Sequence, residues 1–361
     1  MRIQAALLES PGGPFTVRDV DIEEPRPDEI LVRITAAGIC HTDLSTRQGW
    51  PRERLPMVLG HEGAGVVEAV GEAVTRVAPG DTVCLSYRSC GLCEQCAAGR
   101  PAYCSAGLNA TGSRADGSTP LSRGGAPVFG SFFGQSSFAT HALAHESNTV
   151  RVPAGLPPVL AAPLGCGVQT GAGTVLNVLR PEKGSALTVF GAGGVGLSAV
   201  MAAVAEGCCV IAVDPVASRR ALAVELGAAA AVDPVADGAV AATVRGLTAG
   251  GSHYAIDTTG RPDVITQALA ALRRLGTLAL VGIGARAEFD VMAVMARGIR
   301  IRGVIEGDAV PAEFIPRLVG LHRRGVLPVE RLVSEFRFRD IEAAAAAAAS
   351  GRVVKPVLTF D

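Results

Sequence analysis

TVFGAGGVG, residues 188–196, is the stretch on which the fold turns. It starts as an apolar run, passes through three spaced glycines and continues into a segment with helical periodicity that lasts to about Glu206. In a chain with 44 glycines a G-x-G-x-x-G spacing says little, but placed between a strand and a helix it reads as a dinucleotide-binding turn. Gly191 then makes the tight turn, Gly193 lets the backbone approach a pyrophosphate, and Gly196 allows the helix to pack close on the strand. Gly194 and Val195 open the helix, whose free N–H groups face the phosphates. Asp214 closes the next apolar run, VIAVD, 23 residues after Gly191. A carboxylate there accepts hydrogen bonds from the adenosine ribose and repels a 2′-phosphate, so NAD is expected rather than NADP, with Arg219 and Arg220 the residues that weigh the other way. The plain alternative, a helix-stacking turn without a ligand, does not account for all three features together.

Outward from this turn, strands are expected at 186–190, 209–213, 229–232, 253–257, 277–282 and 300–304, with helices between them, among them 195–206 and 217–226. Gly207 and Gly227 stand where a left-handed helix end is expected. Six strands joined by helical crossovers imply a doubly wound parallel sheet and an α/β class. Up to Pro157–Pro163 the chain differs: short β-branched runs such as EILVRITAAG (29–38) and GAGVVEAVG (63–71), separated by Gly and Pro, read as a mostly β domain. The tail adds a helix, DIEAAAAAAASG (340–351), and a closing strand, VKPVLTF (354–360). The expected organisation is a catalytic domain from 1–166 and 307–361, and a nucleotide domain from 167–306.

Composition narrows the function. Of 361 residues, 48% are hydrophobic and 19% charged, which suits a globular chain, and two domains are the default at this length. The net charge of −1 and the lack of a basic block argue against nucleic acid or an anionic membrane as partner. No apolar run reaches bilayer length and the N-terminus reads as a strand, so a cytoplasmic protein is expected.

Nine cysteines, an odd number, suggest metal ligands more than disulfides. Cys90, Cys93, Cys96 and Cys104 fall within fifteen polar, Gly-containing residues, a spacing that can wrap one tetrahedral zinc. Four thiolates leave no position for water, so this zinc is structural and pins a loop that lacks a core. Cys40 (in CHTD), His61 (in HEGAG) and Cys166 (in PLGCGVQTG) are scattered, and spacing alone does not join them; a lone Cys or His is more often a packed core residue. Two Cys and one His do, however, make a catalytic zinc set with an open fourth position.

At these residues the chain resembles the zinc-containing medium-chain alcohol dehydrogenases over essentially its whole length. GHEGAGVVEAVG (60–71), the four-cysteine loop, GAGGVG and Asp214 stand in the family's order. CHTDL (40–44), FFGQSSFAT (132–140), PLGCGVQTGAG (163–173) and FGAGGVGLSAVMAA (190–203) are most similar to the benzyl (aryl) alcohol branch. The resemblance implies a GroES-like catalytic domain beside a Rossmann domain, two zinc ions per chain, and catalytic zinc on Cys40, His61 and Cys166. It further implies that Glu62 is the carboxylate able to approach the metal, that Asp43 orients the zinc-bound histidine, and that Thr42 receives the substrate proton. Thr170 and Val195 match positions at the nicotinamide, Ile283 is a further cofactor-binding position, His41 and Lys355 match pyrophosphate-binding cations, and Arg219 matches a basic residue beside the adenosine. The family's relay histidine is replaced by Ser45, which leaves proton exit beyond Thr42 open. Homodimers or homotetramers follow from the family's pairing of edge strands, with RIRGVIE (300–306) as the candidate edge.

The expected reaction is hydride transfer between a small-molecule primary alcohol and NAD. Trp50, Ser86, Tyr87 and Phe138 are candidate pocket residues, and such aromatics suit an aryl substrate, although Trp50 and Phe138 are equally readable as loop anchor and core. Rival readings are a terpene (geraniol-like), aliphatic or thiol–formaldehyde-adduct dehydrogenase, an enzyme that never releases its NAD, and a decayed nucleotide-binding protein. Joint retention of Cys40, His61, Glu62 and Cys166 argues against the last.

Overall fold

EILVRITAAG lacks the alternation of a strand with one wet face; nearly every residue in it is apolar, as a strand covered on both sides requires. The computed structural model, which describes residues 1–360, places it as strand Glu29–Gly38 inside a seven-stranded sheet. The order is Thr149–Arg151, Thr82–Leu85, Gly63–Val70, Glu29–Gly38, Lys355–Thr359 and Val333–Arg337, with His141–His145 also pairing along Glu29–Gly38. Lys355–Thr359 runs antiparallel to Glu29–Gly38, so a strand from late in the chain sits beside one from its start. A five-stranded sheet adds Met57–Val58, Arg2–Leu8, Phe15–Ile22, Leu121–Arg123 and Ala126–Val128. Leu7, Leu8, Ile30, Ile34, Met57, Leu59 and Phe138 are fully buried in the shared core. Removing such side chains from water is worth about 1.5–3 kcal/mol each, which is what holds the many loops of this unit in place. A buried ion pair ties two of its segments: Arg114 reaches Glu29 through two nitrogens, at 2.6 and 2.9 Å.

The second unit is the expected parallel sheet. Its order is Ala230–Val232, Cys209–Val213, Ala186–Phe190, Ser252–Asp257, Leu272–Leu280 and Arg300–Gly303, all parallel. Strand order reverses on either side of Ala186–Phe190, and ligands bind at the carboxyl ends beside such a switch point. The helix Gly194–Ala205 follows that central strand, and Ala217–Glu225 follows the next. Gly207 (φ 76°) and Gly227 (φ 102°) are left-handed just past these helices.

The first unit comprises Met1–Cys166, Val310–Gly320 and the chain from Val329; the second comprises Gly167–Ala309 and Leu321–Pro328. The sequence reading divides the chain at 166/167 and 306/307, and the compact units meet at Cys166/Gly167 and Ala309/Val310, with Leu321–Pro328 in the second. Among the described residues no single helix is long and apolar enough to cross a membrane.

Candidate active site

Cys40 is the residue on which helix His41–Gly49 begins; its backbone is extended (φ −108°, ψ 158°). Asp43, in the first turn of that helix, folds back so that Oδ2 accepts from the Cys40 amide at 3.0 Å. The other oxygen, Oδ1, accepts from the Gly60 amide at 3.1 Å and from His61 Nδ1 at 2.9 Å. A carboxylate only accepts, so Nδ1 carries the ring proton and Nε2 presents its lone pair. His61 Nε2 is buried and has no protein partner. Leaving such an atom unsatisfied costs about 1–3 kcal/mol, so it marks a place for a metal.

Cys40, His61, Glu62 and Cys166 bring one donor atom each within 4.8 Å of one another, all in the first unit. Cys166 is set by its neighbour: Ser86, fully buried, donates from Oγ to the Gly165 carbonyl at 2.7 Å. Gln135, also fully buried, donates to the carbonyls of His61 and Ser86 and accepts from the Gly63 amide, all within 3.0 Å. A hydrogen bond with Cys166, together with His61 and Lys355, holds the Cys40 thiol well below its usual range against the opposing effect of burial. Burial disfavours a charged His61, yet Asp43 and Cys40 raise it well above the ordinary histidine value, so with Nδ1 held by Asp43 a metal at Nε2 would displace a proton there. Burial pushes Glu62 up to about 7 against the pull of Lys355.

Lys355 donates to both Glu62 oxygens, at 2.7 and 2.9 Å, and to the Ile39 carbonyl at 3.3 Å. It is 4% exposed. The resemblance put Lys355 among the pyrophosphate-binding cations; in the structure its ammonium bonds Glu62 and the Ile39 carbonyl beside Cys40 and His61. His41, the other expected cation, is exposed at the helix start. Thr42 Oγ1 lies 3.7 Å from Cys40 Sγ.

The pocket candidates fare unevenly. Of its two readings, Phe138 takes the core one: it has no exposure, and its ring packs edge-on against Phe15 at 5.7 Å. Ser86 supports Gly165, as described, and Tyr87 is 2% exposed. Trp50 anchors its loop by donating from Nε1 to the Arg54 carbonyl at 2.8 Å, and its ring meets Phe132 edge-on at 6.0 Å. Two aromatics that sequence reasoning did not single out stand nearest the metal set. Phe132 meets His61 edge-on at 5.6 Å, and Phe133 lies over it at 4.6 Å. Phe133 has φ 53°, a left-handed backbone uncommon for a bulky residue. The quoted FFGQSSFAT stretch contained both, but only the fold reveals which of its three phenylalanines turns to the histidine.

Around the loop Cys90–Cys104, sulfur–sulfur distances are 4.0 Å (Cys90–Cys96), 3.5 Å (Cys93–Cys96) and 4.0 Å (Cys93–Cys104). A tetrahedral centre with metal–sulfur bonds of about 2.3 Å places its sulfurs about 3.8 Å apart. All four cysteines are free of disulfides.

In the second unit the three glycines separate by what surrounds them. Gly191 has φ 92°, and a Cβ there would strike Thr258 Oγ1 at 2.4 Å. A Cβ on Gly196 would lie 1.8 Å from the Gly191 carbonyl oxygen. One on Gly193 would meet nothing within 4 Å: it would project into the open cradle at the helix N-terminus. Asp214 is held by the amides of Ala192 (2.7 Å) and Val216 (2.8 Å), one on each oxygen, and each oxygen can accept one more bond. Arg220 is bound to the Asp214 carbonyl and to Asp233, whereas Arg219 keeps a buried Nε without a partner. Thr170 lies on helix Gly167–Gly173, which packs so closely on the next helix that a Cβ on Gly171 would sit 2.0 Å from the Val195 carbonyl. Ile283, past strand Leu272–Leu280, is exposed.

A nucleotide-type parallel sheet joined to a unit holding one three-donor and one four-thiolate metal set defines a zinc-dependent dehydrogenase. The comparisons with known proteins agree. The alcohol dehydrogenase GroES-like domain profile matches residues 26–154, and the zinc-binding dehydrogenase profile matches residues 194–321. A geraniol dehydrogenase of Castellaniella defragrans is 47% identical over 364 residues, covering 99% of this chain and 97% of its own. The crystal structure of an alcohol dehydrogenase zinc-binding domain protein from Burkholderia ambifaria superposes with a TM-score of 0.97 at 48% identity, covering 100% of this chain and 99% of that one. That of benzyl alcohol dehydrogenase from Acinetobacter calcoaceticus gives 0.95 at 42%, with both chains fully covered. The chain belongs to the zinc-dependent medium-chain alcohol dehydrogenase family. The orphaned His61 Nε2 and the thiolate sets fit zinc, and the Gly193 cradle with Arg219 fits NAD.

Proposed function

We propose that the chain interconverts a primary alcohol of benzyl type and its aldehyde with NAD. The observation that carries this reading is the aromatic wall at the metal set, Phe132 and Phe133 against the His61 ring with Trp50 behind Phe132. Flat π faces favour a substrate whose carbinol carbon is attached to an unsaturated group. The second reading, an allylic terpene alcohol, is favoured by the relative named geraniol dehydrogenase, and it shares that unsaturation.

Cys40, His61 and Cys166 would hold the catalytic zinc, with Glu62 and Lys355 beside it. When bound, zinc supplies Lewis acidity and NAD the hydride acceptor. Asp43 fixes the donor face of His61. The Thr42 hydroxyl would take the alcohol proton and pass it on, and with NAD+ bound the carbinol hydrogen would leave with the C–H electron pair, so one alcohol and one NAD+ would give one aldehyde, one NADH and one proton. Asp214 holds the adenosine ribose, and Cys90, Cys93, Cys96 and Cys104 hold a zinc that fixes their loop. Two copies pair through Arg300–Gly303, an exposed edge strand that shares its unit with the exposed apolar residues Val291, Met292 and Met295; sedimentation would show a dimer or tetramer.

The test is NADH formation from benzyl alcohol, geraniol and ethanol with zinc counted on the same sample. A kcat/KM for benzyl alcohol well above that for ethanol, with two zinc ions per chain, supports the reading; a preference for geraniol over benzyl alcohol moves it to the allylic class, and a preference for ethanol overturns both.

A further inference from the structure

Glu306 is a buried carboxylate to which the reaction above gives no part. It follows the edge strand Arg300–Gly303 at the carboxyl end of the parallel sheet, the end that also carries the Gly191–Gly196 turn. Its backbone is left-handed (φ 51°), as are those of Gly307 (φ 65°) and Asp308 (φ 51°). Non-glycine residues seldom adopt this conformation, and where they do the strain tends to serve a site. Here it turns the Glu306 side chain onto helix Gly167–Gly173. Oε2 accepts from Gln169 Nε2 at 3.0 Å and stands 3.3 Å from Thr170 Oγ1.

The contact is built closely. A Cβ on Gly307 would lie 2.5 Å from the Gln169 carbonyl oxygen, and one on Gly173 would lie 2.6 Å from that of Gly307. Asn177 donates to the Gly307 carbonyl at 3.0 Å. The next residue of the same helix, Gly171, abuts Val195 in the first turn of the phosphate-facing helix. A buried carboxyl group thus accepts from Thr170, one residue removed from contact with Val195, all within the nucleotide unit.

We infer that Glu306 is a positioning residue that biases the site toward the oxidised cofactor. The inference rests on the reading of Thr170 and Val195 as residues at the nicotinamide. The nicotinamide ring is cationic in NAD+ and neutral in NADH. A carboxylate fixed nearby in a low-dielectric setting therefore stabilises bound NAD+ and leaves NADH largely untouched. Its hydrogen bond with Thr170 also fixes that side chain.

The test is a fluorescence or calorimetric titration of the zinc-loaded enzyme with NAD+ and with NADH, for the wild type, Glu306→Gln and Glu306→Asp. Glu306→Gln keeps the shape and removes the charge. It is expected to weaken NAD+ binding about tenfold while NADH changes less than twofold. Glu306→Asp, which keeps the charge, is expected to restore most of the preference. Equal losses for both cofactor forms, or no loss in a folded Glu306→Gln variant, overturn the inference. If Glu306→Gln fails to fold, Glu306→Asp decides in combination with Thr170→Val: losing the Thr170 hydroxyl while keeping Glu306 must leave the NAD+ preference in place, and its disappearance counts against the carboxylate as the cause. Asp214→Ala checks the wider reading, that this unit binds the cofactor at all. If it weakens both cofactor forms while Glu306→Gln shifts neither selectively, only the Glu306 inference fails; if it changes nothing, the cofactor reading fails first.

Discussion

Asp43 Oδ1 accepts from His61 Nδ1 at 2.9 Å while the same carboxylate holds the Cys40 amide. One residue therefore sets the geometry of two metal donors. Asp43→Asn keeps the size but no longer dictates the His61 tautomer. Zinc affinity should fall about 10–100-fold, as is usual when the carboxylate behind a ligating histidine is lost. Competition with a chelator, followed by metal analysis, measures this; unchanged zinc retention would remove Asp43 from the orienting role.

The two metal sets should fail differently. Cys40→Ser or Cys166→Ser is expected to abolish turnover and leave NAD binding within about twofold, since catalytic zinc is not part of the phosphate cradle. Cys93→Ser should instead lower thermal stability, because a loop with little core loses its cross-link. Activity, cofactor titration and a melting curve on each variant separate these outcomes; a Cys93 variant with wild-type stability and two zinc ions would contradict the structural assignment.

Asp214 is held rigidly by two amides, so its removal leaves those donors exposed to the cofactor and takes away the ribose acceptor. Asp214→Ala should weaken NAD by about tenfold or more and NADP by less, because repulsion of the 2′-phosphate disappears with the carboxylate. Equal losses in the two titrations would show that Asp214 does not read the ribose.

At Phe133 stability and selectivity pull apart. Its left-handed backbone costs the fold about 1 kcal/mol or more, and glycine adopts it without strain. Phe133→Gly should therefore be less destabilising than the loss of an aromatic side chain implies. Meanwhile the ratio of kcat/KM for benzyl alcohol over ethanol should drop about tenfold as the ring over His61 disappears. A ratio that stays at the wild-type value would place the substrate elsewhere.

His145 supplies a pH-dependent term. Burial, reinforced by Arg88, lowers it to about 4 from an ordinary value of 6.5. The unfolded chain then binds this proton more readily than the folded one between those two values, so stability rises with pH across that window and is fully present above 6.5. Falling from pH 6.5 to 4 should cost about 2–3 kcal/mol through this group. His145→Gln should flatten that part of the denaturation profile; an unchanged slope between pH 4 and 6.5 would assign the acid sensitivity to other groups.

Sequence alone went furthest where the information is local. The parallel sheet was legible because each strand and helix carries its own period, and helix ends fall on Gly207 and Gly227. The four-cysteine loop was legible because its ligands lie within fifteen residues. Cys40, His61 and Cys166 are too far apart for spacing to join them, so only the resemblance grouped them before the structure brought them together. What stayed hidden has one cause: burial and partner are tertiary properties. Nothing near Lys355 announces that Glu62 will hold its ammonium, and nothing in FFGQSSFAT distinguishes the core phenylalanine, Phe138, from the two that face His61. Phe133 and Glu306 were hidden more deeply, since each adopts a backbone conformation that its residue type argues against.

The strand Lys355–Thr359 lies between Glu29–Gly38 and Val333–Arg337, and Lys355 meets Glu62 across 293 residues of chain. During synthesis the nucleotide unit, most of it one unbroken segment, has its sheet complete while the other sheet still lacks an inner strand. The first metal ligand to leave the ribosome is consequently among the last to reach its finished setting. Cys40 and His61 thus wait for almost the entire chain before the strand that brings Lys355 to Glu62 can close the sheet beside them.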